Sequence, residues 1–249
     1  MNLWTGFQQL LGGILRFFHD ATVAVFDDYA WLVAIVLLTV AVRVLLTPLA
    51  IKQFRSMQAM QKLRPQMKEI QDRYKTDRGL MRTDPEKFRT QRQKQQEELM
   101  ALYQEHNVNP ASSCLPLLVQ APILFGLFTV LRSPDVVPEL VNAPFAFGAT
   151  LQEVVRTAGP LAYALLLVMG ITMFVQQRQM MARNTTAAAA DDQTAQIQKM
   201  MLYVMPVVLV VTGVNFPVGV VIYWATTNLW QVGQQWYILR EVAETTPTA

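Results

Sequence analysis

The sequence predicts an all-α, polytopic membrane protein of five transmembrane helices plus a cytoplasmic helical hairpin. Three observations carry that prediction. First, 52% of the 249 residues are hydrophobic and only 16% are charged, against about a quarter charged in ordinary soluble domains. Second, the charges are segregated: 13 of the 21 Lys and Arg residues fall between Lys52 and Lys94. Third, the remaining stretches are long apolar runs that approach the roughly 20 residues needed to cross a bilayer. The single cysteine, Cys114, excludes an internal disulfide and a Cys-rich metal site. The two histidines, His19 and His106, add no metal-ligand spacing. There is no GxxxxGK[ST] loop for a nucleotide. No cofactor and no enzymatic chemistry are expected.

Residues 1–28 are read as an extracytoplasmic amphipathic helix. Leu3, Phe7, Leu10, Ile14 and Phe17 recur at steps of three and four, which suits a helix lying in the interface. A signal peptide would need a basic start and an unbroken apolar core; here the start is uncharged, and Arg16 and Asp20 interrupt the run.

Residues 29–51 form the first predicted span, and 52–108 a cytoplasmic hairpin of two helical arms. Met60, Leu63, Met67, Ile70 and Tyr74 mark one arm; Phe88, Arg92, Gln95, Leu99 and Leu102 mark the other. Gly79 supplies a helix stop, and Asp84 followed by Pro85 a start. The apolar stripe is thin and rich in Met, which predicts a loosely held arm.

The second span is 109–131, with Pro116, Gln120 and Pro122 inside it, followed by an extracytoplasmic loop over 132–159. The third span is 160–175, and a cytoplasmic loop over 176–196 contains the linker-like "NTTAAAADDQ". The apolar stretch beyond is too long for one span. "GVNFPVG" breaks it into a fourth span at 197–215 and a fifth at 216–238, leaving a cytoplasmic tail at 239–249. With five spans, one side collects 17 basic residues and the other only Arg16, Arg132 and Arg156. The basic side is cytoplasmic by the positive-inside rule, so the N-terminus is outside and the C-terminus inside. A four-span arrangement would put the C-terminus outside, and tag accessibility separates the two.

Arg43 is the residue that this layout must explain. An arginine near mid-span costs at least about 2.5–3.5 kcal/mol. It lies nine residues before Lys52, about 13 Å of helix rise, so snorkelling alone leaves it partly in hydrocarbon. No Asp or Glu occurs in any predicted span, so it has no intramembrane carboxylate. Thr39, Arg43 and Thr47 share one helix face. In the fifth span Tyr223, Thr227 and Gln231 make a second polar stripe, flanked by Trp224, Asn228 and Gln235, and Gln120 is the strongly polar group of the second span. Interhelical hydrogen bonding is the competing reading for Gln120, Thr227 and Asn228. Joined to an arginine with no acid, the pattern favours a hydrophilic groove.

At this point the motifs resemble those of the YidC–Oxa–Alb membrane protein insertases. "VRVLLTPL" is similar to the family's first core span with its groove arginine, and "NPASSCLPLLVQAPILFGLF" to its second. "NAPFAFGATL" is similar to the outer loop, and "QKMMLYVMPVV" and "FPVGVVIYWATTNLWQVGQQWYI" to the last two spans. The resemblance covers residues 29 to 240. It implies five helices around a hydrophilic groove that is open to lipid and cytoplasm and closed to the outside, in the bacterial plasma membrane. It implies groove roles for Arg43, Gln120, Trp224 and Thr227, with Asn228 beside them. Its implied partners are nascent membrane protein clients and the bilayer. The hairpin and the 176–196 loop are candidates for contacts with the ribosome and the Sec translocon, and no specific nucleic-acid site is expected. The sequence departs from the pattern in lacking the large extracytoplasmic domain of some members, the lipobox cysteine of others, and a basic tail, so a short form is expected. Two rivals use the same polar stripes: a small-solute (anion) transporter or channel, which ion flux in proteoliposomes would reveal, and a chaperone that folds clients delivered by a translocon.

Overall fold

The computed structural model describes residues 2–74, 83–109, 115–132, 135–183 and 192–245. Gly79, Pro110, Cys114 and most of the "NTTAAAADDQ" linker lie outside them. The described residues are almost wholly helical. They comprise α1 (Leu3–Phe26), α2 (Ala30–Lys62), α3 (Arg64–Arg73), α4 (Pro85–Glu105), α5 (Leu115–Arg132), α6 (Pro160–Arg183), α7 (Asp192–Gly213) and α8 (Val218–Thr245), with a small hairpin of β1 (Pro144–Ala146) and β2 (Ala149–Thr150). The chain forms two compact units. One gathers the chain up to Pro48, Leu117–Gln179 and the chain from Met200; the other gathers Leu49–Pro116 and Met180–Lys199.

By length and composition, two stretches among the described residues can cross a membrane: the 60-residue helical run Leu3–Lys62 and the helix Pro160–Gln179. Val119–Arg132 and Leu202–Gly213 are shorter apolar helices. α8 has the length, but Thr226, Thr227, Asn228, Gln231, Gln234 and Gln235 dilute its hydropathy.

In the first unit the core is a continuous apolar cluster. Leu15, Ile35, Leu38, Leu127, Leu131, Leu166, Met169 and Val221 are fully or nearly fully buried in it. α1 does more than lie on a surface. Leu11 and Leu15 are buried, and a Cβ at Gly126 of α5 would meet Phe7 and Leu11 side-chain atoms at 2.6 and 2.7 Å. Glycine is thus what admits α1 against α5. Gln8 donates to Thr129 Oγ1 at 2.8 Å, and Arg16 donates to the Val136 carbonyl at 2.8 Å and to Glu139 at 3.3 Å. Leu3, Leu10 and Phe17 stay exposed on the remaining apolar face. The amphipathic pattern therefore contains two apolar surfaces, one docked and one free.

Residues 135–159 cap one end of this unit. Their backbone is tied to the α7–α8 turn: Val155 N–H donates to Phe216 O at 3.1 Å, Arg156 to Val214 O at 3.0 Å, Val218 to Glu153 O at 2.9 Å and Gly219 to Leu151 O at 2.9 Å. Leu140, Leu151 and Val155 are completely buried beneath.

In the second unit, α3 packs against α4. Its core is small: Leu63, Met67, Leu102 and Val108, with Ala59, Met60, Ile70, Leu99 and Tyr103 around them. α4 starts where Asp84–Pro85 predicts, with Asp84 Oδ1 accepting from Lys87 N–H at 3.0 Å. Arg73 and Tyr74 both donate to Glu98 across the two helices. The first arm is interrupted at Leu63, between α2 and α3, where the stepping of apolar residues alone predicts one continuous helix.

Candidate functional site

The site is built from one residue outward. Arg43 sits on α2, a turn before Pro48, and is only 9% exposed. Its Nη2 donates to Gln120 Oε1 of α5 at 2.8 Å. Gln120 in turn donates through Nε2 to the hydroxyl of Tyr223 on α8, which is 2% exposed. A chain of three side chains from three helices thus starts at the guanidinium. Among the described residues no carboxylate lies within ion-pairing distance of it. A guanidinium has five N–H donors. Neutral acceptors can satisfy donors, but they leave the positive charge uncompensated.

One turn along, Thr47 Oγ1 donates to the Arg43 carbonyl at 2.8 Å and accepts from Gln234 Nε2 of α8 at 3.2 Å. Gln176 of α6 and Gln231 of α8 are also hydrogen-bonded. The same face of α2 carries Thr39, buried and donating to Ile35 O at 2.7 Å. On the other side of α2, Val44 and Leu45 are exposed. The helix therefore has a polar and an apolar side, as the i, i+4, i+8 spacing predicts.

The structure sorts the residues singled out from sequence. Arg43, Gln120 and Tyr223 form one connected chain, and Thr47 joins through Gln234. Thr227 is buried on the Tyr223 face of α8. Thr39 bonds within its own helix. Asn228 Nδ2 donates to the Met169 carbonyl at 3.2 Å and so ties α8 to α6. Trp224 stacks on Phe216, with centroids 6.3 Å apart and 15° between planes, and packs against the core. Gln176 and Gln234 were not singled out; the clusters "VQQRQ" and "VGQQW" carried that signal.

These features define a class: an all-α membrane protein that keeps a buried cation among neutral polar side chains. Residues 23–245 match the family described as "60Kd inner membrane protein". The chain is 37% identical over 255 residues to membrane protein insertase YidC of Streptomyces avermitilis, covering 90% of this chain and 55% of that one. It is 34% identical to YidC of Geobacter sulfurreducens, over 92% of this chain and 36% of the relative. It is 36% identical to membrane protein insertase MisCA of Bacillus subtilis, over 85% of this chain and 70% of the relative. A crystal structure described as an active YidC insertase with its first transmembrane domain resolved matches with a TM-score of 0.59 and 28% identity, over 95% of this chain and 47% of that one. The chain belongs to the YidC–Oxa–Alb membrane protein insertase family and has its helical membrane fold. It spans about half the length of the Streptomyces relative.

Proposed function

We propose that this chain inserts membrane proteins by moving short polar segments of a client across the bilayer through a hydrophilic groove around Arg43. The observation that carries the reading is the buried guanidinium with a neutral partner and, among the described residues, no carboxylate within ion-pairing distance. Transfer of a polar segment through hydrocarbon is opposed by loss of its hydration. A hydrated groove returns part of that solvation, and the uncompensated charge of Arg43 attracts an acidic segment into the half-crossed position. The apolar part of the client then leaves along exposed faces such as Val44 and Leu45 of α2, driven by burial in lipid at about 25 cal/mol per Å². A membrane potential positive outside adds about 2.3 kcal/mol per acidic charge per 100 mV. No covalent step is needed.

The topology that goes with this reading is five spans in the bacterial plasma membrane, N-terminus outside and C-terminus inside. The hairpin and the 176–196 loop then face the cytoplasm, where their basic residues suit contact with the ribosome or the translocon. The test is reconstitution of the full chain in proteoliposomes with a single-span client and no translocon. Arg43→Ala lowers insertion of an acidic-tailed client by about tenfold, equivalent to roughly 1.4 kcal/mol of barrier, while Arg43→Lys keeps most of it. Equal insertion by Arg43→Ala and the unmodified chain removes the electrostatic role.

A further inference from the structure

The turn between β1 and β2 is made by Phe147 and Gly148, both at positive φ, 52° and 83°. Two-residue hairpin turns of this handedness favour Asn-Gly or Asp-Gly, because the first position resists a bulky side chain. Phe147 is therefore the wrong residue for the backbone that it occupies. It is also the wrong residue for water, since it is 85% exposed at the tip. The rest of the hairpin is firmly seated. Phe145, Ala149 and Leu151 are buried, and Leu151 N–H donates to Ala143 O at 2.9 Å. A local choice that is unfavourable twice over, on a rigid mount, points to a contact outside the chain that offsets both.

The surroundings indicate the contact. β1 packs against Asp27–Tyr29, the corner where α1 passes into α2. Val25, Phe26 and Tyr29 are exposed at that corner. The hairpin tip thus adds to a corner of exposed apolar and aromatic side chains, interrupted by the exposed carboxylates of Asp27 and Asp28, within the helical run Leu3–Lys62 that is long and apolar enough to cross a membrane. Aromatic side chains concentrate at that level of a bilayer. We propose that Phe147 inserts into the headgroup–acyl boundary of the outer leaflet and that the hairpin is a membrane-surface anchor for the capping loop. The proposal rests on the membrane topology given above.

The experiment uses the full chain in nanodiscs of phosphatidylethanolamine and phosphatidylglycerol, with Cys114→Ser as background. Nitroxide labels are attached at Phe147→Cys and, as a control on the bare α2 face, at Leu45→Cys. Collision rates with oxygen and with a water-soluble nickel chelate give depth. The expected result is oxygen-dominated access at both positions, with Phe147 the shallower. Nickel-dominated access at 147 with oxygen-dominated access at 45 overturns the anchor and leaves the topology standing. Low access to both reagents at 147 means a protein covers it and overturns it as well. Nickel-dominated access at 45 overturns the topology, and the anchor with it. A second readout leaves the cysteine labels aside: amide exchange of residues 144–151 in nanodiscs is several-fold faster in Phe147→Asn than in the unmodified chain. Asn is the better turn residue, so equal or slower exchange in that variant shows that Phe147 gains nothing from lipid and overturns the proposal.

Discussion

At the scale of single residues, the proposed role of Arg43 rests on what it lacks among the described residues, a carboxylate partner. Its hydrogen bond to Gln120 satisfies one donor, and Gln120 is held in turn by Tyr223. Gln120→Leu removes the acceptor and leaves a buried charged donor open, which costs about 1–3 kcal/mol. Tyr223→Phe removes only the outer link and costs less. Thermal unfolding of both variants in the same detergent gives the order. A second residue-scale prediction concerns Glu139. Hydrogen bonding to its own backbone N–H, and then to Arg16, holds its carboxyl below its ordinary pKa despite some opposing desolvation. The lowered value means that its contribution is fully present above the ordinary carboxylate pKa and is lost as pH falls through the folded value. The pair is half exposed, so the effect on stability is small, about 0.2–1 kcal/mol. It is read as faster amide exchange in α1 below about pH 4, absent in Glu139→Gln.

At the scale of elements, close helix approach is set by small residues. A Cβ on Gly170 of α6 would lie 2.5 Å from Val210 Cγ2 of α7. Gly170→Leu therefore forces the two helices apart and costs about 1–3 kcal/mol, and Val210→Ala restores part of it; a double-mutant thermal series measures the recovery. Element identity was legible in the sequence where periodicity was strong. The start of α4 at Asp84–Pro85 and the polar face of α2 both followed from spacing. The Arg43–Gln120–Tyr223 chain was legible as three polar residues in apolar runs, because such residues seek one another in lipid. Its wiring was not, since which amide faces the guanidinium depends on how three helices pack. Trp224 shows the same limit: the family resemblance implied a groove role, and the stacking of its ring on Phe216 was not readable from its position beside Tyr223. The docking of α1 on α5 was hidden because its signal is a glycine, Gly126, inside an apolar run where glycine is common.

At the scale of the whole molecule, the two units differ in how much apolar surface holds them. The first has a broad core of buried aliphatic side chains; the second rests on Leu63, Met67, Leu102 and Val108. Local opening follows the number of buried apolar contacts. Amides of α3 and α4 therefore exchange at least tenfold faster than core amides of α2 and α8, as hydrogen exchange on the intact chain in nanodiscs will show. The family and the class of fold were readable from composition, charge segregation and motif strings taken together, because the bilayer restricts what a chain of this kind can form.

The loop tied across the α7–α8 turn has an electrical consequence. A membrane that stores energy as a potential cannot tolerate a wet passage from face to face. Leu140, Leu151 and Val155 are completely buried under a lattice of four backbone hydrogen bonds to that turn. Such a dry layer imposes a dielectric barrier on any ion, and the barrier is steep because an unpaired charge in an apolar medium is so costly. On the proposed reading, water that enters a groove around Arg43 from one end completes no circuit. On that same reading the loop is the insulation that would let a hydrated cavity and a charged membrane coexist.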